Sequence, residues 1–281
     1  MSYSLAYSPC PNDTYIFAAL TNGLLRDAPK VEAVLDDVEA LNAAARRGTH
    51  ALTKVSYGAI PYLLDRYRIL RAGGALGRGC GPLLIAKPRP DGSVPKLDDL
   101  SPEATIAIPG VLTTAFLLLR LALGRTPQIA EMRFDKIVDA VTRGEVDAGL
   151  IIHESRFTYQ VRGLRPIVDL GEWWEGHART PIPLGAILAR RDLGDAEARE
   201  VDDAIRRSLE FARTREDAII DYVRAHAAEM SDDVMRKHIG LYVNDFSEDV
   251  GDEGRAAVDT LFARASSAGL IPADVKPEFV G

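Results

Sequence analysis

The chain predicts an α/β fold in two lobes. Short β-like runs alternate with helical ones, the pattern of layered α/β proteins with largely parallel sheets. A connector rich in proline, residues 87–102, separates two such alternations. Two apolar runs, 81–86 and 183–189, bracket the second alternation, so they read as crossover strands entering and leaving an inserted unit. The expected lobes are 1–84 plus 187–281, and 85–186. Two crossings make a hinge, and a hinged pair of lobes binds its ligand in the cleft between them.

At 281 residues the chain is long enough for two cores. Its 47% hydrophobic and 27% charged content is that of an ordinary globular protein. A net charge of −7, with arginines interleaved among acids as at Arg206-Arg207, argues against nucleic acid as a partner. Cys10 and Cys80 make neither a disulfide framework nor a metal set, which points to a reducing compartment. No secretory signal opens the chain, and the most apolar window, 115–123, holds Arg120 and falls short of the ~20 residues of a membrane span. A cytoplasmic protein without a membrane partner is expected.

In chain order, residues 5–7 form a first strand. Asn12 or Asp13 then caps a helix carrying Ile16, Phe17, Ala19 and Leu20. A strand at 31–35 precedes a helix at 38–47 that Gly48 ends. Residues 52–55 form a strand, Ser56 a turn and 59–64 a short helix; 68–72 and 82–86 are further strands. In the second unit, 106–108 is a strand, Pro109-Gly110 a turn and 113–122 a helix stopped by Gly124. Strands at 131–134 and 148–152 flank a helix at 137–143. Residues 184–189 return as a strand. From Asp195 the chain reads as helical, and its last long helix, 254–268, closes on Gly269 with Pro272 beyond.

Four strand-to-helix junctions carry the polar residues. Ser8-Pro9-Cys10-Pro11-Asn12-Asp13-Thr14 is stiff and polar behind the first strand, where an open α/β sheet places its ligand; the same residues also read as an ordinary capped turn. Lys54-Val55-Ser56 ends another strand, with Lys54 either facing an anion or simply solvated. Thr113-Thr114-Ala115 begins a helix whose free amides suit a carboxylate or phosphate, and the threonines also suit a plain N-cap. His153 ends the apolar run Gly149-Leu150-Ile151-Ile152, which places an imidazole, the commonest general base, at a strand's carboxyl end. A satisfied histidine in that position is the competing reading. His50 and His177 lie in loops, and His226 and His238 have surface-like spacing. Cys10 reads as a small buried residue rather than a nucleophile, and Trp173-Trp174 as packing. No metal-ligand spacing, dinucleotide fingerprint or Gly-x-Ser-x-Gly elbow occurs, so an anionic small molecule is the expected ligand.

These segments, in this order, resemble the 1,4-dihydroxy-6-naphthoate synthase family of the futalosine route to menaquinone. The resemblance is carried by residues 8–14, 52–57, 73–79, Pro109-Gly110 with Thr113-Thr114-Ala115, 149–154 and 169–174, and spans nearly the whole chain. It implies a bilobed fold like the type 2 periplasmic binding proteins and a carbon–carbon lyase needing no metal or organic cofactor. The implied reaction converts cyclic dehypoxanthine futalosine to 1,4-dihydroxy-6-naphthoate and expels dihydroxyacetone. The implied base is His153, and the implied substrate contacts are Lys54 to Ser56 and Thr114-Ala115, with Asn12, Asp13, Thr14 and Thr113 in the neighbouring motifs. Residues 176–180 depart from the family pattern. A cytoplasmic anion-binding protein on the same scaffold, and the sister chorismate dehydratase, are the alternatives.

Overall fold

The computed structural model describes residues 2–227 and 231–281; Met1 and residues 228–230, which the expected lobe boundaries and helical region include, lie outside them. The chain begins with β1 (Ser2–Tyr7), α1 (Pro11–Thr21), β2 (Lys30–Leu35), α2 (Val38–Arg46), β3 (Leu52–Ser56), β4 (Tyr67–Ile69) and β5 (Ala75–Gly77). It continues through β6 (Leu83–Ala86), β7 (Thr105–Ile108), α3 (Thr114–Leu123), β8 (Gln128–Glu131), α4 (Phe134–Arg143), β9 (Ala148–Ile151), α5 (Ser155–Thr158), β10 (Arg165–Asp169) and α6 (Leu170–Ala178). β11 (Ile182–Arg190) then leads to α7 (Asp195–Thr214), α8 (Ile220–His226), α9 (Asp232–Tyr242), α10 (Asp245–Glu248) and α11 (Gly251–Ser267).

Two sheets result, ordered β2-β1-β3-β11-β4, with β5 also on β11, and β10-β6-β9-β7-β8. Each is mixed rather than largely parallel. β1 runs parallel to β2 and β3, but β11 is antiparallel to β3, β4 and β5 because it comes back from the other sheet. In the second sheet β7 is parallel to β8 and β9, whereas β6 pairs antiparallel with β9 and β10. The two expected crossover strands are each confined to one sheet, β6 to the second and β11 to the first. The chain changes sheet just before each of them. At the first change a Cβ on Gly81 would sit 2.2 Å from the Gly171 nitrogen, so the backbones pack face to face where any side chain would wedge them apart.

Local chemistry accounts for the shifts in boundary. α1 starts at Pro11 behind Cys10 with no side-chain cap, because proline at the first helical position needs no N–H partner. That leaves Asn12 and Asp13 inside the first turn, free to bond elsewhere. The strand expected at 131–134 is β8, ending at Glu131, and Phe134 opens α4. β5, β10 and α6 lie in glycine-rich or charged stretches without a clear hydrophobic period. Trp174, on α6, is fully buried and donates its indole N–H to the Pro181 carbonyl at 3.1 Å.

One apolar cluster runs through both lobes, from Val55 and Tyr57 to Ile106, Leu118, Trp174 and Phe262. A second packs α1 against α7 through Phe17, Val201 and Ile205, and a third seats α4 on the second sheet through Ile137, Val141 and Ile151. Among the described residues no helix is long and apolar enough to cross a membrane.

Under α4 the fit is tight at Gly149, where a Cβ would lie 2.6 Å from Ile137 Cγ2 and 2.7 Å from Val141 Cγ2. Gly149→Ala is therefore expected to lower stability by about 1–3 kcal/mol, as overpacked cores do, read as an earlier urea midpoint at unchanged slope.

Candidate active site

The carboxyl ends of β1 and β3, the start of α1 and one face of α9 meet the end of β9 and the start of α3 around a cavity of about 100 Å³. Ligands of open α/β sheets bind at such strand ends. The wall is mostly apolar, with Val38, Leu41, Val55, Ile152 and Leu184, and a few polar groups converge on it: Ser8, Asn12, Asp13, Lys54, Ser56, Thr113, Thr114, His153 and His238. Ala115 on α3, Cys80 and Tyr242 on α9 complete the lining.

Asp13 is the hub of the polar set. It is 2% exposed and paired with Lys54, itself 7% exposed, so neither charge faces water. Its Oδ2 accepts from the Ser8 hydroxyl at 2.7 Å and the Ser8 amide at 3.3 Å, and its Oδ1 from the Asn12 side-chain amide at 2.7 Å. Lys54 also donates to the Gly73 carbonyl at 3.4 Å. The lysine is thus neither solvated nor a free counter-charge for a ligand; Asp13 neutralises it. Asn12 turns its amide oxygen to His238, whose Nε2 lies 2.9 Å away. Thr14 stays out of the cavity lining, its hydroxyl donating to the Cys10 and Pro11 carbonyls.

His153 follows β9 with φ of 57°, a left-handed conformation that a side chain other than glycine's adopts at a cost of about 1–2 kcal/mol. That turn swings the imidazole out of line with the strand. Its Nδ1 lies 3.3 Å from the Cys10 sulfur, across the cleft, and its ring takes Phe134 edge-on with centroids 4.9 Å apart. Burial pushes the Cys10 thiol well above its usual range, with Glu154 adding to the effect, so Cys10 is a neutral neighbour that holds the imidazole. Glu154, next in the chain, leaves Oε2 buried and without a protein partner among the described residues.

At α3 the Thr113 hydroxyl caps the helix, accepting from the Phe116 amide at 3.2 Å and donating to the Gly110 carbonyl at 2.8 Å. The Thr114 hydroxyl donates to the Leu184 carbonyl at 2.8 Å and accepts from the Gly58 amide at 3.1 Å, tying α3 to the other sheet. Both hydroxyls are thereby used by the protein itself. The first-turn amides of Thr114 and Ala115 have no acceptor within the helix, and they carry the positive end of its dipole. Ser56 stands opposite, its amide donating to Asn42 Oδ1 at 2.9 Å and its hydroxyl receiving Asn42 Nδ2 at 3.3 Å.

Two further groups escaped the sequence reading. His238 is fully buried, not a surface residue, because α9 turns Met235, His238 and Tyr242 inward; their i, i+3, i+7 spacing was the available signal. Glu39, on α2, accepts from the Leu112 amide at 3.2 Å and Asn42 Nδ2 at 3.0 Å, bridging to the loop before α3. Burial pushes its carboxyl up to about 7.

Asp13→Asn leaves the Lys54 ammonium buried without its partner, and a loss of about 3–5 kcal/mol in unfolding free energy is expected from chemical denaturation. Glu39 gives a pH signature. Its folded-state affinity for a proton is raised, so its contribution to stability is full below the ordinary carboxylate range and is lost as pH rises through about 7. Wild type should lose stability between about pH 5 and 8 relative to Glu39→Gln, which lacks that titration. Parallel pH profiles of the unfolding midpoint read the difference.

A family model described as menaquinone biosynthesis matches residues 3–267. A protein of Thermus thermophilus named 1,4-dihydroxy-6-naphtoate synthase is 51% identical over 277 residues, covering 98% of each chain. A protein of the same name from Streptomyces coelicolor is 45% identical over 274 residues, 96% of this chain and 94% of that one. Among solved structures, the periplasmic aliphatic sulphonate binding protein of Escherichia coli superposes with a TM-score of 0.67 at 14% identity, over 100% of this chain and 94% of its own. That likeness is one of fold: a bilobed α/β scaffold of the periplasmic-binding-protein type.

Proposed function

The chain belongs to the menaquinone biosynthesis family, and on that premise we propose that it is an enzyme with 1,4-dihydroxy-6-naphthoate synthase activity. In this reading it is a carbon–carbon lyase of the futalosine route, acting in the cytoplasm on cyclic dehypoxanthine futalosine, releasing dihydroxyacetone and using no cofactor. The observation that carries it is His153. A histidine held in a left-handed conformation at a strand end, in the same cavity as the first-turn amides of α3, which have no acceptor within the helix, joins a base to an anion site.

The substrate's carboxylate is assigned to the Thr114 and Ala115 amides, with the Ser56 hydroxyl beside them. Lys54 and Asp13 act as a neutral, rigid floor beneath the ligand and not as its counter-ion. With Nδ1–H of His153 donating to the Cys10 sulfur, Nε2 is the free acceptor that takes the proton from carbon next to the ketone. Proton loss and cleavage of the bond to the sugar-derived fragment let the ring aromatise, which supplies much of the driving force. The apolar walls exclude water from the charged intermediate. Lobe closure completes the site, with the changes of sheet near Gly81 and before β11 as hinge points, so that the lobes meet a few residues before 84 and 186.

The test is to supply cyclic dehypoxanthine futalosine to the purified protein and follow 1,4-dihydroxy-6-naphthoate by chromatography and mass. Wild type should form product, and His153→Ala should lose about 10²–10⁴-fold in kcat with little change in substrate affinity. Tight binding without turnover by wild type would move the protein to the binding-protein reading. Near-normal turnover by His153→Ala would remove the base assignment.

A further inference from the structure

His238 has no part in the reaction as described so far, yet it is the most confined polar side chain in the site. The ring is 0% exposed and lines the cavity. Its Nε2 faces Asn12 Oδ1 at 2.9 Å. Asn12 must donate its NH₂ to the Asp13 carboxylate, 2.7 Å away, so the oxygen is what it presents to His238. The hydrogen of the neutral imidazole therefore sits on Nε2, and Nδ1 is an acceptor. That Nδ1 is buried and has no partner among the described residues.

The surroundings keep it an acceptor. Burial disfavours the imidazolium, and Lys54 and His153 oppose a further positive charge. The neighbouring rings of Tyr242, at 4.7 Å, and Phe157, at 6.3 Å, add apolar walls. His153 lies parallel to His238 with centroids 6.3 Å apart and an interplanar angle of 9°, so both rings border the same part of the cavity. A buried acceptor without a protein donor is matched by a ligand that brings one.

We propose that His238 is a second catalytic residue, its Nδ1 accepting a hydrogen bond from a hydroxyl of the sugar-derived part of the substrate. This assignment rests on the functional reading above and adds a contact at the departing fragment, opposite the carboxylate on α3. Holding that hydroxyl fixes the bond to be broken relative to His153, an effect felt in kcat as well as KM.

Two substitutions divide the imidazole between its nitrogens. Gln places an amide NH₂ near the former Nε2, keeping the donor to Asn12 and removing the Nδ1 acceptor. Asn places a carbonyl oxygen near the former Nδ1 and removes the donor. With cyclic dehypoxanthine futalosine as substrate, His238→Gln should lose roughly ten- to hundredfold in kcat/KM at an unchanged unfolding midpoint. His238→Asn should retain more activity than His238→Gln even if its midpoint falls. The reverse order would mean that His238 acts only through Asn12 and would overturn the proposal. So would two variants as active as wild type, an outcome that leaves the functional reading standing. Absence of turnover by wild type overturns the reading and this assignment with it. Should both variants unfold, the nitrogen-15 shift of His238 Nδ1 in His153→Ala decides: substrate should move it upfield, and no movement rejects the contact.

Discussion

The buried pair of Asp13 and Lys54 is the constraint around which the rest of the site is arranged. Two opposite charges out of water are tolerated only when every remaining lone pair and proton is also satisfied. Asp13 meets that demand with Ser8 from the end of β1, Asn12 from its own helix turn and Lys54 from β3. Asn12 extends the chain of bonds to His238 on α9. The β1–α1 junction, β3 and α9, far apart in sequence, are thereby held at fixed positions beneath the cavity. The proline at the start of α1 belongs to the same device. It begins the helix without a side-chain cap and so leaves Asn12 and Asp13 to the network.

Above this floor the second lobe supplies what the first lacks. The first contributes neutralised charge and hydroxyls; the second contributes a helix N-terminus and an imidazole. Contacts between them are direct: Gly58 to Thr114, Thr114 to Leu184, Glu39 to Leu112, and His153 to Cys10. A Cβ on Gly58 would stand 2.8 Å from the Leu112 carbonyl oxygen, so glycine sets how closely the lobes approach. The scaffold is shared with binding proteins, so what a protein on it does depends on which side chains occupy the facing surfaces.

His153 shows how a local cost becomes useful. Left-handed backbone at a histidine is unfavourable, and here it is maintained by the strand behind it, Phe134 at its edge and Cys10 at its Nδ1. The thiol serves as a neutral rest for the ring, a role compatible with its burial and at odds with nucleophilic chemistry.

The sequence by itself determined the two α/β units, most helix boundaries and the strand-end placement of Ser56, Thr113 and His153, because periodicity, glycine stops and strand-to-helix turns are local. It also carried the family resemblance, through motifs long enough to be distinctive. Only the tertiary structure decided that Lys54 is neutralised by Asp13, that Thr14 turns away from the cavity, that Cys10 meets His153 and that His238 is buried. Three of those facts join residues 41, 143 and 226 positions apart. Nothing in a local pattern sets such distances. The antiparallel entry of β6 and β11 was hidden for a related reason: strand direction depends on where the chain returns from, which an apolar run does not encode.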